Sequence, residues 1–231
     1  MIRAVFFDLY YTLVRYEPPQ EELETQALKE FGINVSPDVF RRPLVAANEF
    51  IYQEIAHRPL SQRSREETMA LYSRYQEIVL TEAGLKAEPK LVLGLLGRMQ
   101  QFKMKLVLFD DVAPSLSELK KRGQLLGLIS NVERDMTATL NELGLASQLD
   151  VVVTSQDTGF TKPQPGIFRA ALERAKVEPD EAIYVGDQYQ VDVVGARGTG
   201  MKGILLDRYG YYEDIKDCLK IKSLSEVVGH I

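Results

Sequence analysis

At 231 residues, 45% of them hydrophobic and 26% charged, the chain has the size and balance of one large globular domain or of a domain carrying a substantial insertion. A net charge of −5 argues against a general binder of nucleic acid or of anionic membranes. Its single cysteine, Cys218, excludes an internal disulfide framework, and two histidines, His57 and His230, are too few for a multi-histidine metal centre. Any metal here has to be held by oxygen, which favours magnesium-like chemistry.

Met1-Ile2-Arg3 leads directly into a strand pattern, unlike a signal peptide, and no apolar run reaches membrane-spanning length. The expected location is cytoplasmic. In the stretch Arg3-Ala4-Val5-Phe6-Phe7-Asp8, four apolar residues followed by an aspartate predict a buried strand that delivers a carboxylate to its carboxyl edge. Ligands of open α/β sheets bind just outside such edges. An aspartate there is also an ordinary turn former or helix cap.

From about Tyr16 to Leu85 the pattern predicts helices alone. Leu23, Ala27, Leu28 and Phe31 share a helical face that Gly32 terminates, and Ser36-Pro37 reads as a cap followed by proline at the first helical position. Ser64 and Glu67 form a capping box. The helix it opens carries Met69, Tyr72, Tyr75 and Val79 along one side and stops at Gly84; that aromatic stripe reads as bundle core. The arginines at 41, 42, 58, 63 and 65 read as solvated helix surface. The predicted organisation is a helical insert at 16–88 between the two parts, 1–15 and 89–231, of an α/β domain, with the helix from about Lys90 to Gln101 compatible with either part.

Beyond Lys105 short apolar runs predict strands at 105–109, 125–129, 151–154, 183–185 and 203–206. Helical segments near 114–122, 133–143, 166–176 and 191–197 separate most of them, which argues for a doubly wound parallel sheet. The first strand has no partner nearby in sequence and must join that sheet. A glycine-rich run, Gly195 to Gly200, follows a helical segment instead of linking strand to helix, so it fails the context of a dinucleotide site.

Polar groups then gather at four strand ends: Asp8 and Thr12, Ser130-Asn131, Lys162-Pro163, and Gly186-Asp187 with Asp192. Each alone has a bland reading as a cap, a surface charge or a turn. In this order on one sheet edge they resemble the haloacid dehalogenase (HAD) superfamily of aspartate-nucleophile hydrolases, and the helical insert looks like that family's first type of cap. The resemblance implies a Rossmann-like core in which Asp8 attacks the substrate and forms a covalent aspartyl intermediate. It implies substrate contacts from Thr12, Ser130, Asn131 and Lys162, the lysine offsetting negative charge. It implies Mg2+ held by Asp8, the Tyr10 carbonyl and Asp187, with Asp192 supporting the water around it. Elementary electrostatics agrees: converging carboxylates resist ionisation unless a cation joins them, and Lys162 supplies one positive charge.

Tyr10 departs from the phosphatase pattern. Most phosphatases of the superfamily carry a second aspartate there, which protonates the leaving alkoxide and later activates water. A phenol, with an ordinary pKa near ~10, can donate a proton at neutral pH but is a poor general base. Three readings follow. The first is a magnesium-dependent phosphatase of a small phosphorylated metabolite, favoured by Gly186-Asp187 and Asp192. The second is a 2-haloacid dehalogenase, whose members also carry tyrosine there because a halide leaves without a proton, although they generally use no metal and lack the Gly-Asp pair. The third is a binding protein that lost the acid. The expected partner is a small anionic substrate, with no nucleic acid and no membrane, for a monomer or homodimer.

Overall fold

Four consecutive apolar side chains make β1 (Ala4–Phe7) a strand that needs a sheet covered on both faces. The computed structural model, which describes residues 1–231, buries all four. The chain folds as two units, Met1–Arg15 with Val107–Ile231 and Tyr16–Leu106. After β1 come β2 (Val14–Glu17), α1 (Gln20–Glu30), α2 (Arg41–His57), α3 (Arg65–Glu82), α4 (Pro89–Met99) and β3 (Lys105–Leu108). Then follow α5 (Val112–Lys121), β4 (Leu125–Ser130), α6 (Thr137–Glu142), β5 (Val151–Thr154), the single turn α7 (Ser155–Thr158), α8 (Pro165–Ala175), β6 (Ala182–Gly186), β7 (Lys202–Leu206) and β8 (Leu219–Ile221).

The main sheet runs β5-β4-β1-β6-β7-β8 with every neighbouring pair parallel, the doubly wound order expected from the alternation of strands and helices. Phe7 aligns with Leu128 of β4 on one side and Val185 of β6 on the other, so Asp8 emerges between two strand ends. Its amide donates to the Val185 carbonyl at 3.0 Å. Connections leave β1 and β6 in opposite directions, which opens a crevice at their carboxyl ends. On one face Ala4 and Phe6 pack with Ile129, Tyr184 and the apolar side of α8, and the two-residue period of the strand turns Val5 and Phe7 the other way.

Three elements differ from the sequence expectation. The run at 105–109 leaves the main sheet and pairs, as β3, with β2, a strand whose Val-Arg-Tyr-Glu sequence carries too few apolar residues to register. Lys105 is exposed and the rest of β3 only half-buried, unlike a central parallel strand. Helix α6 begins later than expected because Asp135 accepts both the amide and the hydroxyl of Thr137 at 2.8 and 2.7 Å, which starts the helix there. The segment at 191–197 opens as a wide π-helical turn, Tyr189–Val194.

In the helical unit the capping box forms as expected. Glu67 N–H donates to Ser64 Oγ at 3.2 Å and Ser64 N–H to Glu67 Oε2 at 2.7 Å. The buried face of α3 follows Leu71, Tyr75 and Val79, an i, i+4, i+8 row, whereas Met69 and Tyr72 are exposed at 40% and 37%. Helix α4, which the sequence leaves open between the insert and the 89–231 part, packs with the helices: Val92 and Leu95 lie in one cluster with Leu28 and Val79, and the unit runs to Leu106. No helix is long and apolar enough to cross a membrane.

Glu24, fully buried in α1, accepts from Gln76 Nε2 at 2.9 Å, while its second carboxylate oxygen has no partner. Burial pushes its pKa up to about 7, against the pull of Gln76. A carboxyl whose folded pKa is raised destabilises the fold progressively as pH climbs from its unfolded value, about 4.5, through 7. Glu24→Gln removes that dependence. Between pH 4.5 and 8 the variant should gain about 3 kcal/mol on wild type in denaturant unfolding; parallel pH profiles would refute the shift.

Candidate active site

Immediately after β1 the chain coils into a tight turn. The amides of Leu13 and Val14 both donate to the Leu9 carbonyl at 2.9 Å, and the Tyr11 amide to Val14 at 2.7 Å. Tyr11 adopts φ 59°, a left-handed conformation that disfavours a residue with a bulky side chain. The turn aims the buried Thr12 hydroxyl at Asp187, donating to Oδ1 at 3.2 Å. Behind it Arg208 donates to the Thr12 carbonyl at 2.8 Å and is itself gripped by both oxygens of Asp111 at 2.8 and 3.0 Å.

The loop before α8 delivers Lys162, which is 2% exposed. Asn131, just past β4, holds its main chain from both sides: Nδ2 donates to the Lys162 carbonyl at 3.0 Å and Oδ1 accepts the Lys162 amide at 2.7 Å. At the far end Nζ donates to Asp8 Oδ1 at 2.6 Å, Asp192 Oδ1 at 2.7 Å and Tyr184 Oη at 2.9 Å. Three N–H bonds meet three acceptors. Asp192 comes from the wide turn after β6, and its other oxygen accepts the Gln188 amide at 3.0 Å. Gly186 is a steric requirement of this arrangement, since a methyl group there would fall on the Asp192 carboxyl.

Asp8, Asp187 and Asp192 each offer an oxygen within 4.8 Å of the others. Burial raises Asp8 to about 6, opposed by Lys162 and reinforced by Asp192. Burial, then the charges of Asp8 and Asp192, lift Asp187 well above the usual carboxylate range. Burial disfavours the Lys162 ammonium, but Asp192 and Asp8 outweigh it and hold the pKa above the ordinary lysine value. One ammonium cannot neutralise three carboxylates, and an oxygen-only donor set suits a hard divalent cation.

A sequence profile of haloacid dehalogenase-like hydrolases matches residues 2–200. The chain belongs to this family. It is 31% identical to glyceraldehyde 3-phosphate phosphatase of Methanopyrus kandleri over 221 residues, 94% of this chain and 88% of the relative. It is 30% identical to ribulose-1,5-bisphosphate 5-phosphatase of Halopiger xanaduensis, over 90% and 85% of the two chains. Among solved structures, a 2-haloacid dehalogenase from Pseudomonas syringae superposes with a TM-score of 0.57 at 28% identity, covering 98% of this chain and 96% of the other.

As a haloacid dehalogenase-like hydrolase the chain brings Asp8, Lys162, Asp187 and Asp192 together at one sheet edge, with Thr12 bonded to Asp187. Ser130 ends β4, buried, in register with Thr154 of β5. Asn131 has its amide engaged with the lysine main chain, where the resemblance implied a substrate contact. The Tyr10 hydroxyl takes a long 3.5 Å contact from Arg134. Sequence reasoning missed Tyr184, Gln188, and the Asp111–Arg208 brace. A signal existed for Tyr184 alone: a tyrosine inside a fully buried strand needs a partner for its hydroxyl.

Proposed function

We propose that this hydrolase is a magnesium-dependent phosphatase of small phosphorylated metabolites, with Asp8 as the nucleophile. The observation that carries the reading is the Asp8 carboxylate itself, buried at the mouth of the central strand and clasped by Lys162 beside two further carboxylates. Two relatives named for removing phosphate from sugar-type metabolites support it.

In this reading one Asp8 oxygen forms a bond to phosphorus as the ester oxygen leaves, and water then releases phosphate and restores the carboxylate. Lys162 neutralises charge between nucleophile and phosphate, and Ser130 and Thr12 would contact the phosphate oxygens. Asn131 acts through the lysine, whose main chain it holds. Asp192, held by Lys162 and the Gln188 amide, would support the water around the metal. Asp8, the Tyr10 carbonyl and Asp187 would hold magnesium, which when bound supplies positive charge for the phosphate oxygens. The helical unit serves as the substrate-selecting cap, and the single cysteine and oxygen-only site suit a cytoplasmic enzyme.

The test is phosphate release from a panel of sugar, acyl and aryl phosphates with and without Mg2+. Magnesium titration followed by calorimetry should show Asp187→Asn binding at least about tenfold more weakly than wild type; equal affinities would refute the metal assignment. Tyr10 and the likeness to a 2-haloacid dehalogenase structure are the features that favour a dehalogenase. Halide release from 2-chloropropionate without metal, in place of phosphate release, would install that reading instead.

A further inference from the structure

We propose that Tyr184 is a positioning residue: its hydroxyl supplies the third acceptor of the Lys162 ammonium and so fixes that cation between Asp8 and Asp192. The inference takes from the phosphatase reading only what Lys162 is positioned to do. An ammonium directs three N–H bonds at fixed angles. Two reach Asp8 and Asp192 at 2.6 and 2.7 Å, and the third reaches Tyr184 at 2.9 Å. Without the phenol oxygen that third N–H would be buried and unpaired, which carries the full desolvation penalty of the group. The ammonium would then turn to share an acceptor, at the expense of the bond to Asp8.

Tyr184 is well built for this task. It is fully buried in β6, aligned with Phe6 of β1 and Gly203 of β7, and its ring meets Phe168 edge-on at 5.3 Å. Its own proton has two acceptors at 3.1 Å, the Ile129 carbonyl and Asp192 Oδ1, which leaves oxygen lone-pair density for the lysine. Asn131 therefore sets where the lysine starts and Tyr184 where it ends. The cation is held in place before any substrate arrives.

A double-mutant cycle tests the dependence on Lys162. With p-nitrophenyl phosphate and saturating Mg2+, Tyr184→Phe should lower kcat by about tenfold and leave KM within about twofold. In a Lys162→Met background, measured by single turnover, the same change should alter the rate by less than about twofold. Equal factors in both backgrounds would overturn the inference. A second measurement is independent of turnover. In protein labelled with 15N-lysine, the Lys162 ammonium signal is assigned by its loss in Lys162→Met. Its exchange with water should be at least about fivefold faster in Tyr184→Phe. Exchange as fast as that of surface lysines in wild type, or unchanged exchange in the phenylalanine variant, would overturn the positioning role whatever the reaction. A protected Lys162 that Tyr184→Phe releases, in a protein that hydrolyses no phosphate ester, would support the role and defeat the phosphatase reading alone.

Discussion

Replacing Asp8 by asparagine should lower kcat by about 10⁴-fold or more, because an amide of nearly the same shape cannot act as the nucleophile. The fold should survive. Asp8 sits in a cluster where three carboxylates face one ammonium, and burial together with Asp192 already pushes its pKa to about 6. Neutralising it loses the pair with Lys162 but relieves repulsion with Asp187 and Asp192. The metal-free variant should therefore melt within a few degrees of wild type. Turnover retained by a variant whose asparagine is verified by mass spectrometry, with deamidation excluded, would remove Asp8 from the nucleophile's role.

Tyr10→Asp should act in the opposite direction. If Tyr10 leaves the site without an acid–base group, wild type should turn over aryl and acyl phosphates, whose leaving groups need no proton, far better than sugar or glycerol phosphates. Water attack on the aspartyl phosphate should also lag, giving a burst of leaving group before slow turnover. General acid–base catalysis contributes typically about 10²–10⁴-fold, so supplying an aspartate should raise alkyl-phosphate turnover by a factor of that order and suppress the burst. The neighbouring Arg134 guanidinium is exposed and touches the phenol at only 3.5 Å, so removing the ring strands no buried cation. Rapid alkyl-phosphate turnover by wild type without a burst would mean that another group provides the proton. Halide release that Tyr10→Asp destroys would transfer the enzyme to the dehalogenases.

The parts of the fold that were legible share one property: a local sequence pattern that a single element satisfies. The Ala-Val-Phe-Phe run could only be a covered strand, and the Ser64–Glu67 box announces a helix start within four residues. The β2–β3 ribbon escaped because β2 is short and polar, and Met69 and Tyr72 misled because their spacing fits a helical stripe that the packing shifts to Leu71. At the site, the charged residues were visible through their order along the chain. Their supports were not. Arg208 grips Asp111 across 97 residues and Thr12 across 196, and Asn131 turns from the crevice to hold a backbone 31 residues away. Such partners are fixed by tertiary geometry, which local spacing does not encode.

The wide turn at Tyr189–Val194 governs how this protein tolerates gaps. Within it the Asp192 and Val193 amides both donate to the Gln188 carbonyl, at 2.9 and 3.4 Å, so the coil accommodates one residue more than ordinary α spacing. That residue is absorbed locally, and β7 still enters the sheet beside β6 in register, Gly203 against Tyr184. Deleting one position between Gln188 and Asp192 would close the coil to α geometry with Val193 as the ordinary partner of Gln188. The segment beyond would keep its register while Asp192 shifts by about 100° about the helix axis. The carboxylate would swing away from Lys162 while the glycine at 186, whose missing side chain makes room for it, faced an empty hollow. In sequence alignments the column for Asp192 should accordingly be counted from the coil and not from the Gly-Asp pair, because an indel of one residue there exchanges the position that meets Lys162 for a packing one.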